Sequence, residues 1–154
     1  MQKLRILNSR EKKGVLEKIK EQWGCKFETC LVMMLSSKDK IYLITRDMER
    51  LDLSKLKIDS MGTYFGMITN QGIRLSIEGS QMIGPIAKKN LMNVDHEAMR
   101  RWLKGHDLKL EEEHPGLNGF IILKYNKDFL GTGKIRDKEV LCYVPKNRRI
   151  LADD

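Results

Sequence analysis

Apolar residues in the first part of the chain recur at every third or fourth position, which is the spacing of one face of a helix. Val15, Ile19 and Trp23 share that face, and lysines and glutamates fill the other. Asn8, followed three residues later by Glu11, forms a capping-box pattern, and the glycine directly after Trp23 is placed to end the helix. The pattern therefore predicts one amphipathic helix near the start of the chain.

The spacing then changes to short apolar segments separated by turn residues, which is typical of strands. Residues 27–35 and 41–45 are predicted to form two strands around a polar turn. Residues 64–69 and 73–77 flank Asn70-Gln71-Gly72 and are predicted to form a hairpin. The charged connection between the two strand pairs is compatible with a helical turn.

The second half is predicted to hold one clear helix followed by several short strands. Residues 78–89 look mostly helical, but two glycines and a proline make this segment irregular. A better-signalled helix is capped by Asp95 and ends at Gly105. Residues 108–116 are acidic and are predicted to form a loop, whereas residues 120–125 are predicted to form a strand.

Residues 129–149 combine turn chemistry with an alternating pattern. Gly131 and Gly133 permit a bulge or a sharp strand bend, because glycine tolerates positive φ. The alternation from Val140 onward predicts a short strand, and Pro145, which lacks a donor N–H, is expected to end its pairing.

Composition narrows the class of protein. The 154 residues are 41% hydrophobic and 32% charged, which is typical of a globular protein able to bury a core. The net charge of +8 and the pI near 9.4 favour an anionic partner, with RNA or DNA ahead of a membrane. No apolar run approaches the roughly 20 residues of a membrane helix. The first residues lack a signal-peptide core, so a cytoplasmic location is expected.

Sequence motifs for binding a metal or a nucleotide and for catalysis are mostly missing or incomplete. The three histidines lack the spacing of a zinc site. Gly133-Lys134 resembles the end of a P-loop, but Asp128 stands where the first glycine belongs and Ile135 replaces the required serine or threonine. We therefore expect no metal, no cofactor and no catalytic residue.

The three cysteines, Cys25, Cys30 and Cys142, are expected to be free buried thiols. Cys142 lies in a predicted strand with no helix end nearby. An inert thiol is therefore favoured over a nucleophile at this position.

Cations clustered near the ends of the last strands suit contacts with phosphates. Tyr143 beside them could stack on an unpaired base or simply pack against its neighbours. The alternative for the cations is an ordinary solvated surface. The candidate RNA-binding residues are Lys88, Lys89, Arg100, Arg101, Lys134, Tyr143, Lys146, Arg148 and Arg149.

The second half also carries three segments with a family likeness: VDHEAMRRWLKG, GFIILKYNKDFLGTGK and LCYVPKNRR. Together they resemble the C-terminal RNA-binding domain of Sun-type RNA cytosine-5 methyltransferases, a PUA-like β-barrel. The positions that match its motifs are Gly105, Leu130, Gly131, Gly133, Lys134, Pro145, Lys146 and Arg149. Ser80 is also shared, whereas Gly79 and Gln81 stand where that family has proline and histidine.

A second resemblance lies further toward the start of the chain. The segments IYLITRD and LDLSKLKIDSMGTYFGMITNQGIRLSIEGS are similar to the Nip-seven ribosome-assembly factors, which pair an N-terminal α/β domain with a C-terminal PUA domain. The two resemblances imply an α+β fold. A small N-terminal domain of mixed sheet and helices would span residues 1–87, and a PUA-like β-barrel would span residues 88–154.

The resemblances imply a non-catalytic RNA-binding protein that acts on rRNA or tRNA. Such a protein would work in ribosome assembly or as an accessory to an RNA-modifying enzyme, with a methyltransferase or a pre-ribosomal particle as a further partner. Nothing in the sequence corresponds to the methyltransferases' separate catalytic domain. Two alternatives stay open: an adaptor whose basic face docks an acidic protein partner, and an unrecognised RNA-modifying enzyme.

Overall fold

The computed structural model describes residues 3–44 and 62–150. Within these ranges the chain forms ten strands and three α-helices. The strands are β1 (Leu4–Ile6), β2 (Val32–Ser36), β3 (Lys40–Ile44), β4 (Thr63–Thr69), β5 (Gly72–Leu75), β6 (Leu91–Asn93), β7 (Leu108–Lys109), β8 (Phe120–Tyr125), β9 (Asp128–Arg136) and β10 (Glu139–Cys142). The helices are α1 (Ser9–Trp23), α2 (Ile77–Ile83) and α3 (His96–Leu103), and short 3₁₀ helices occupy Gly84–Ile86 and Lys146–Arg148.

The first sheet is an antiparallel meander in the order β1-β2-β3-β4-β5. Helix α1 begins at the predicted capping box, in which Asn8 accepts from the backbone N–H of Glu11 and the Glu11 side chain accepts from that of Asn8. Its buried residues join the cluster formed by the inner face of the sheet. The predicted helix and the predicted 70–72 hairpin are therefore confirmed.

The second sheet has the order β6-β8-β9-β10-β7, and its strands pair antiparallel except for β6 with β8. Strand β9 carries one extra residue opposite β8, because Ile122 pairs with Thr132 while Lys124 pairs with Phe129. Gly131 lies in this bulge with φ at +99°, a conformation that favours glycine. Of the two features that the glycine spacing permits, a bulge or a sharp strand bend, the structure shows the bulge.

One predicted strand is shorter than expected, since β2 begins at Val32 rather than at residue 27. The Lys12 side chain donates to the carbonyl oxygens of Thr29 and Leu31, at 3.3 and 3.0 Å, in this strand-free segment. The Phe27 ring stacks on the Phe65 ring, with centroids 5.6 Å apart, which accounts for an apolar residue at this position. The apolar run therefore reflects packing onto the sheet rather than pairing within it.

Three short strands were not predicted: β1, β6 and β7, of three, three and two residues. Strand β7 falls inside the segment predicted as an acidic loop, so that prediction is wrong at Leu108–Lys109. Strands this short cannot display alternation, and their pairing partners come from distant parts of the chain. Strand β5 ends at Leu75, because Ser76 accepts from the Gly79 N–H and caps α2.

The two halves of the chain are joined by buried polar contacts at the bulge. The Gly131 N–H donates to the Ser80 hydroxyl at 2.9 Å, and the Thr132 hydroxyl donates to the Leu75 carbonyl at 2.8 Å. Phe120 of β8 is buried in the same cluster as the core of α1 and the first sheet. The division near residue 87 stays a prediction, but the two parts share a core.

The expectation that all three thiols are buried is wrong at one position. Cys25 is buried and Cys142 is half-buried, whereas Cys30 is exposed. The charged connection compatible with a helical turn lies outside the described residues. Within the described ranges, no helix combines the length and apolar character needed to cross a membrane. The same residues contain no group of three or more metal-ligating side chains placed to hold an ion.

Candidate nucleic-acid interface

A cleft of about 640 Å³ lies between the outer face of the first sheet with the start of α2 on one side and the β9 bulge with the segment after β10 on the other. Both halves of the chain contribute to it, so the cleft exists only when the two sheets are docked. The aromatic and basic side chains that line it are Lys40, Tyr42, Tyr64, Arg74, Tyr143 and Arg148.

Strand alternation places the first-sheet residues in the cleft. Ile41 is buried against α1, so Lys40 and Tyr42 on either side of it face outward. Tyr42 pairs directly with Tyr64 in the β3–β4 ladder, and their rings lie 5.5 Å apart. The Lys40 ammonium is 5.6 Å from the centroid of the Tyr64 ring. One wall of the cleft therefore presents two tyrosine rings beside a cation.

Arg74 of the first sheet lines the cleft and contacts Tyr143 of the second half. Its guanidinium carbon is 4.5 Å from the centroid of the Tyr143 ring, and its Nη2 is 3.5 Å from the Met67 sulfur. Arg74 also lies near Tyr64, close enough to act on the pKa of its hydroxyl group. Burial raises the pKa of Tyr64, although Arg74 opposes that shift, so the phenol stays protonated at neutral pH.

Tyr143 forms the opposite wall and joins the two halves. Its ring meets Phe120 edge to face, with centroids 6.2 Å apart, while Arg74 lies over the ring. The Arg74 guanidinium therefore covers part of one face of the Tyr143 ring. Stacking of Tyr143 on an unpaired base stays a prediction. In the structure Arg74 already lies over this ring.

The segment after β10 supplies the rim of the cleft. Arg148 lines the cleft and forms an ion pair with Glu78 of α2, with both side chains partly exposed. Lys146 is exposed in the same short 3₁₀ helix. Arg149 is used differently, because its Nε donates to the Val144 carbonyl at 3.1 Å and its guanidinium covers Gly105.

The other predicted cations lie outside the cleft. Lys134 donates to the Gln71 side chain at the tip of the β4–β5 hairpin. Lys88 and Lys89 donate their backbone N–H groups to the Trp23 carbonyl, at 2.8 and 3.3 Å, and so cover the end of α1. Cations at the carboxyl end of a helix are favoured by its dipole, which explains this pair without a ligand.

The groove beside Lys88 and Lys89 also contains Glu112 and Glu113, which oppose the approach of a polyanion. Arg101 pairs with Glu97 across one turn of α3, at 3.3 Å, and lines a separate groove. Arg100, which is partly exposed on the same helix, is also not among the cleft-lining residues. Their roles as RNA contacts stay predictions, and the structure does not bring these residues to the cleft.

Sequence reasoning missed the first-sheet side of the site, above all Lys40, Tyr64 and Arg74. A signal was present in the alternation, because Arg74 stands between Ile73 and Leu75, which are both buried. That pattern identifies an outward position but not what it faces. Only the docking of the second half, with Tyr143, turns this outer face into a cleft wall.

Comparison with known proteins agrees with this architecture. A family model described as the methyltransferase RsmF PUA domain matches residues 89–150. A solved structure titled "Structure of a Conserved PUA Domain Protein from Thermoplasma acidophilum" is similar, with a TM-score of 0.59 and 14% identity over 92% of this chain and 93% of that chain. No curated protein matches the sequence. The chain therefore has an α+β fold with a PUA-like domain resembling the C-terminal domain of Sun-type methyltransferases, as predicted.

Proposed function

We propose that this chain is a non-catalytic RNA-binding protein that holds RNA in the cleft and along its basic rim. The observation that carries the proposal is the convergence of aromatic rings and cations from both halves of the chain in one cleft. The likeness of residues 89–150 to a PUA domain from an RNA methyltransferase supports RNA as the ligand.

The charges of the site favour a polyanion. Among the described residues, Lys40, Arg74 and Arg148 line the cleft together with one carboxylate, that of Glu78, and Lys146 is exposed beside them. Phosphate contacts of this kind position a nucleic acid without reading its sequence. Aromatic side chains beside them suit unpaired bases, which is the usual mode of RNA recognition outside duplexes.

At a finer level, we propose rRNA or tRNA as the target, with a role in ribosome assembly or beside an RNA methyltransferase in the cytoplasm. The likeness to a domain that methyltransferases carry supports the second role. In that role the chain would hold the RNA while a partner enzyme supplies the chemistry. Within the described residues the cleft holds no cysteine, and burial raises the pKa of the half-buried Cys142, which weakens it as a nucleophile.

Fluorescence anisotropy of labelled RNA with the purified chain tests the proposed binding. We expect binding that weakens steeply with salt and that unlabelled RNA reverses, while polyglutamate at equal charge competes poorly. Equal competition by polyglutamate would favour the adaptor that docks an acidic protein. Absence of RNA binding at low salt would refute the proposal.

Incubation of the pure chain with RNA and labelled adenosylmethionine tests the non-catalytic part. We expect no label in the RNA, because the proposed function assigns the chemistry to a partner enzyme. Label transfer that depends on the chain would show that it is an enzyme.

A further inference from the structure

Among the residues that the structure describes, no carboxylate pairs with the guanidinium of Arg74 inside the cleft. Its guanidinium carbon lies 4.5 Å from the centroid of the Tyr143 ring, and its Nη2 lies 3.5 Å from the Met67 sulfur. Within the described part of the chain, none of these contacts is a carboxylate. The Tyr143 ring and the Met67 sulfur thus hold a cation that no carboxylate of the described residues neutralises.

This arrangement suits a flat ligand. A guanidinium is planar and weakly hydrated, so it stacks on flat π systems in a way that an ammonium group does not. Tyr143 supports one side of Arg74, and Phe120 in turn holds the Tyr143 ring edge to face. Because Arg74 also lines the cleft, its guanidinium is within reach of a ligand bound there.

We propose that the cleft binds an unpaired nucleobase of RNA, stacked on the guanidinium plane of Arg74 with Tyr143 as its support. This inference rests on the proposed RNA-binding function and names the part of the RNA that the cleft takes. Unpaired bases stack on aromatic rings and on arginine planes, whereas the bases of an A-form duplex are stacked on one another and hidden. The site therefore prefers single-stranded or looped RNA to duplex RNA.

The surroundings of Arg74 fit a nucleotide rather than a bare ring. The Tyr42–Tyr64 pair offers further aromatic surface on the same wall of the cleft. Lys40 and Arg148 line the cleft beside it and are placed for the flanking phosphates. Base and backbone would thus be held by different side chains, which allows the two contributions to be measured separately.

The variant Arg74→Lys separates stacking from charge, because lysine keeps the cation and loses the plane. We expect its affinity for a short single-stranded RNA to fall about five- to a hundredfold, the range measured for loss of base stacking. The salt dependence of binding should stay unchanged, because the number of cations is unchanged. Arg10→Lys, at an exposed arginine of α1, is the matched control and should bind like the wild type.

Tyr143 provides an independent check on the support of the plane. Tyr143→Phe keeps the ring and should retain wild-type affinity, whereas Tyr143→Leu should lose affinity as Arg74→Lys does. Tyr125→Leu is its control, since Tyr125 contacts His96 and is not among the residues lining the cleft.

Changing the RNA instead of the protein protects the test against misfolded variants. The wild type should bind a single strand more tightly than the same strand annealed to its complement. Abasic nucleotides in that single strand should weaken wild-type binding but should weaken Arg74→Lys little further. RNA binding with equal affinity for single strand, duplex and abasic strand would overturn the inference and leave the proposed function standing. No RNA binding at all would overturn both.

Discussion

At the scale of single residues, Glu78 is the one carboxylate among the described residues that line the cleft, and it is paired with Arg148. An RNA phosphate that reaches Arg148 must displace this carboxylate. The pair is partly solvent-exposed, at 44% and 35% of the two side chains, so it contributes little to folding stability. Glu78 therefore competes with an RNA phosphate for Arg148.

Glu78→Gln should strengthen RNA binding, since it frees Arg148 and removes a negative charge from the cleft. The gain should be up to about fivefold, corresponding to an exposed ion pair of about 1 kcal/mol. The log–log salt slope should change little, because the RNA contacts Arg148 in both proteins and only the cost of displacing Glu78 is removed. Glu28→Gln removes the partner of Lys26 in a comparable exposed pair outside the cleft. If both variants change binding alike, the effect is only one of net charge.

The cysteines allow a second residue-scale prediction. Burial raises the pKa of both Cys25 and Cys142, so each holds less thiolate at a given pH than an ordinary cysteine. Iodoacetamide at neutral pH should therefore modify the exposed Cys30 first and spare the other two in the folded chain. Mass spectrometry of the digested protein measures the sites. Rapid labelling of Cys142 would show that its thiol is activated.

At the scale of elements, the packing of α2 against the first sheet requires a glycine at position 79. Gly79 faces Phe65 so closely that a Cβ atom there would overlap the Phe65 carbonyl oxygen. The resemblance to the methyltransferase domain marks this position as a departure, where proline is usual. The structure gives a local reason for glycine, because α2 packs directly on the backbone of β4.

Gly79→Ala should destabilise the fold by about 1–3 kcal/mol, the cost of overpacking a filled site. Gly14→Ala is the matched control, because nothing lies within 4 Å of a Cβ at that position on α1. It should stabilise the protein by about 0.5–1 kcal/mol, since alanine is the better helix former. Urea denaturation of both variants measures these changes. Equal effects of the two substitutions would contradict the packing described for α2.

The helices and strands also show which parts of the fold sequence patterns can predict. Helix α1 and the β4–β5 hairpin were predictable, because caps, turn residues and periodicity all lie within a few neighbouring residues. The strand-free segment at residues 27–31 was not, because its apolar residues pack on the sheet from outside it. Strands β6 and β7 were missed because each exists through pairing with a distant strand.

At the scale of the whole molecule, the site was predictable only on one side. Tyr143 and Arg148 were identified from the sequence and do line the cleft. Lys40, Tyr64 and Arg74 come from the first sheet and meet them only because β9 docks on α2 through Ser80 and Gly131. No local sequence pattern in either half predicts this contact between the two halves.

The docking of the two halves also determines which exposed cations can be substituted without disturbing the fold. Arg149 covers Gly105 and bonds the Val144 carbonyl, and Lys12 bonds two carbonyls of the segment before β2. Substituting either residue would therefore mix effects on folding with effects on binding. Lys146 and Arg148 on the rim, and Lys13 and Lys18 on α1, are exposed. These two pairs provide the better comparison.

The measurement that tests the RNA-binding cleft most directly is RNA affinity across a salt series for the wild type and two double variants. Lys146→Ala with Arg148→Ala should weaken binding of single-stranded RNA and flatten the log–log salt slope by about 1.4, from about 0.7 for each lost phosphate contact. Lys13→Ala with Lys18→Ala removes the same charge from α1 and should leave the slope unchanged. Equal slopes for all three proteins would contradict the assignment of RNA to the cleft and its rim.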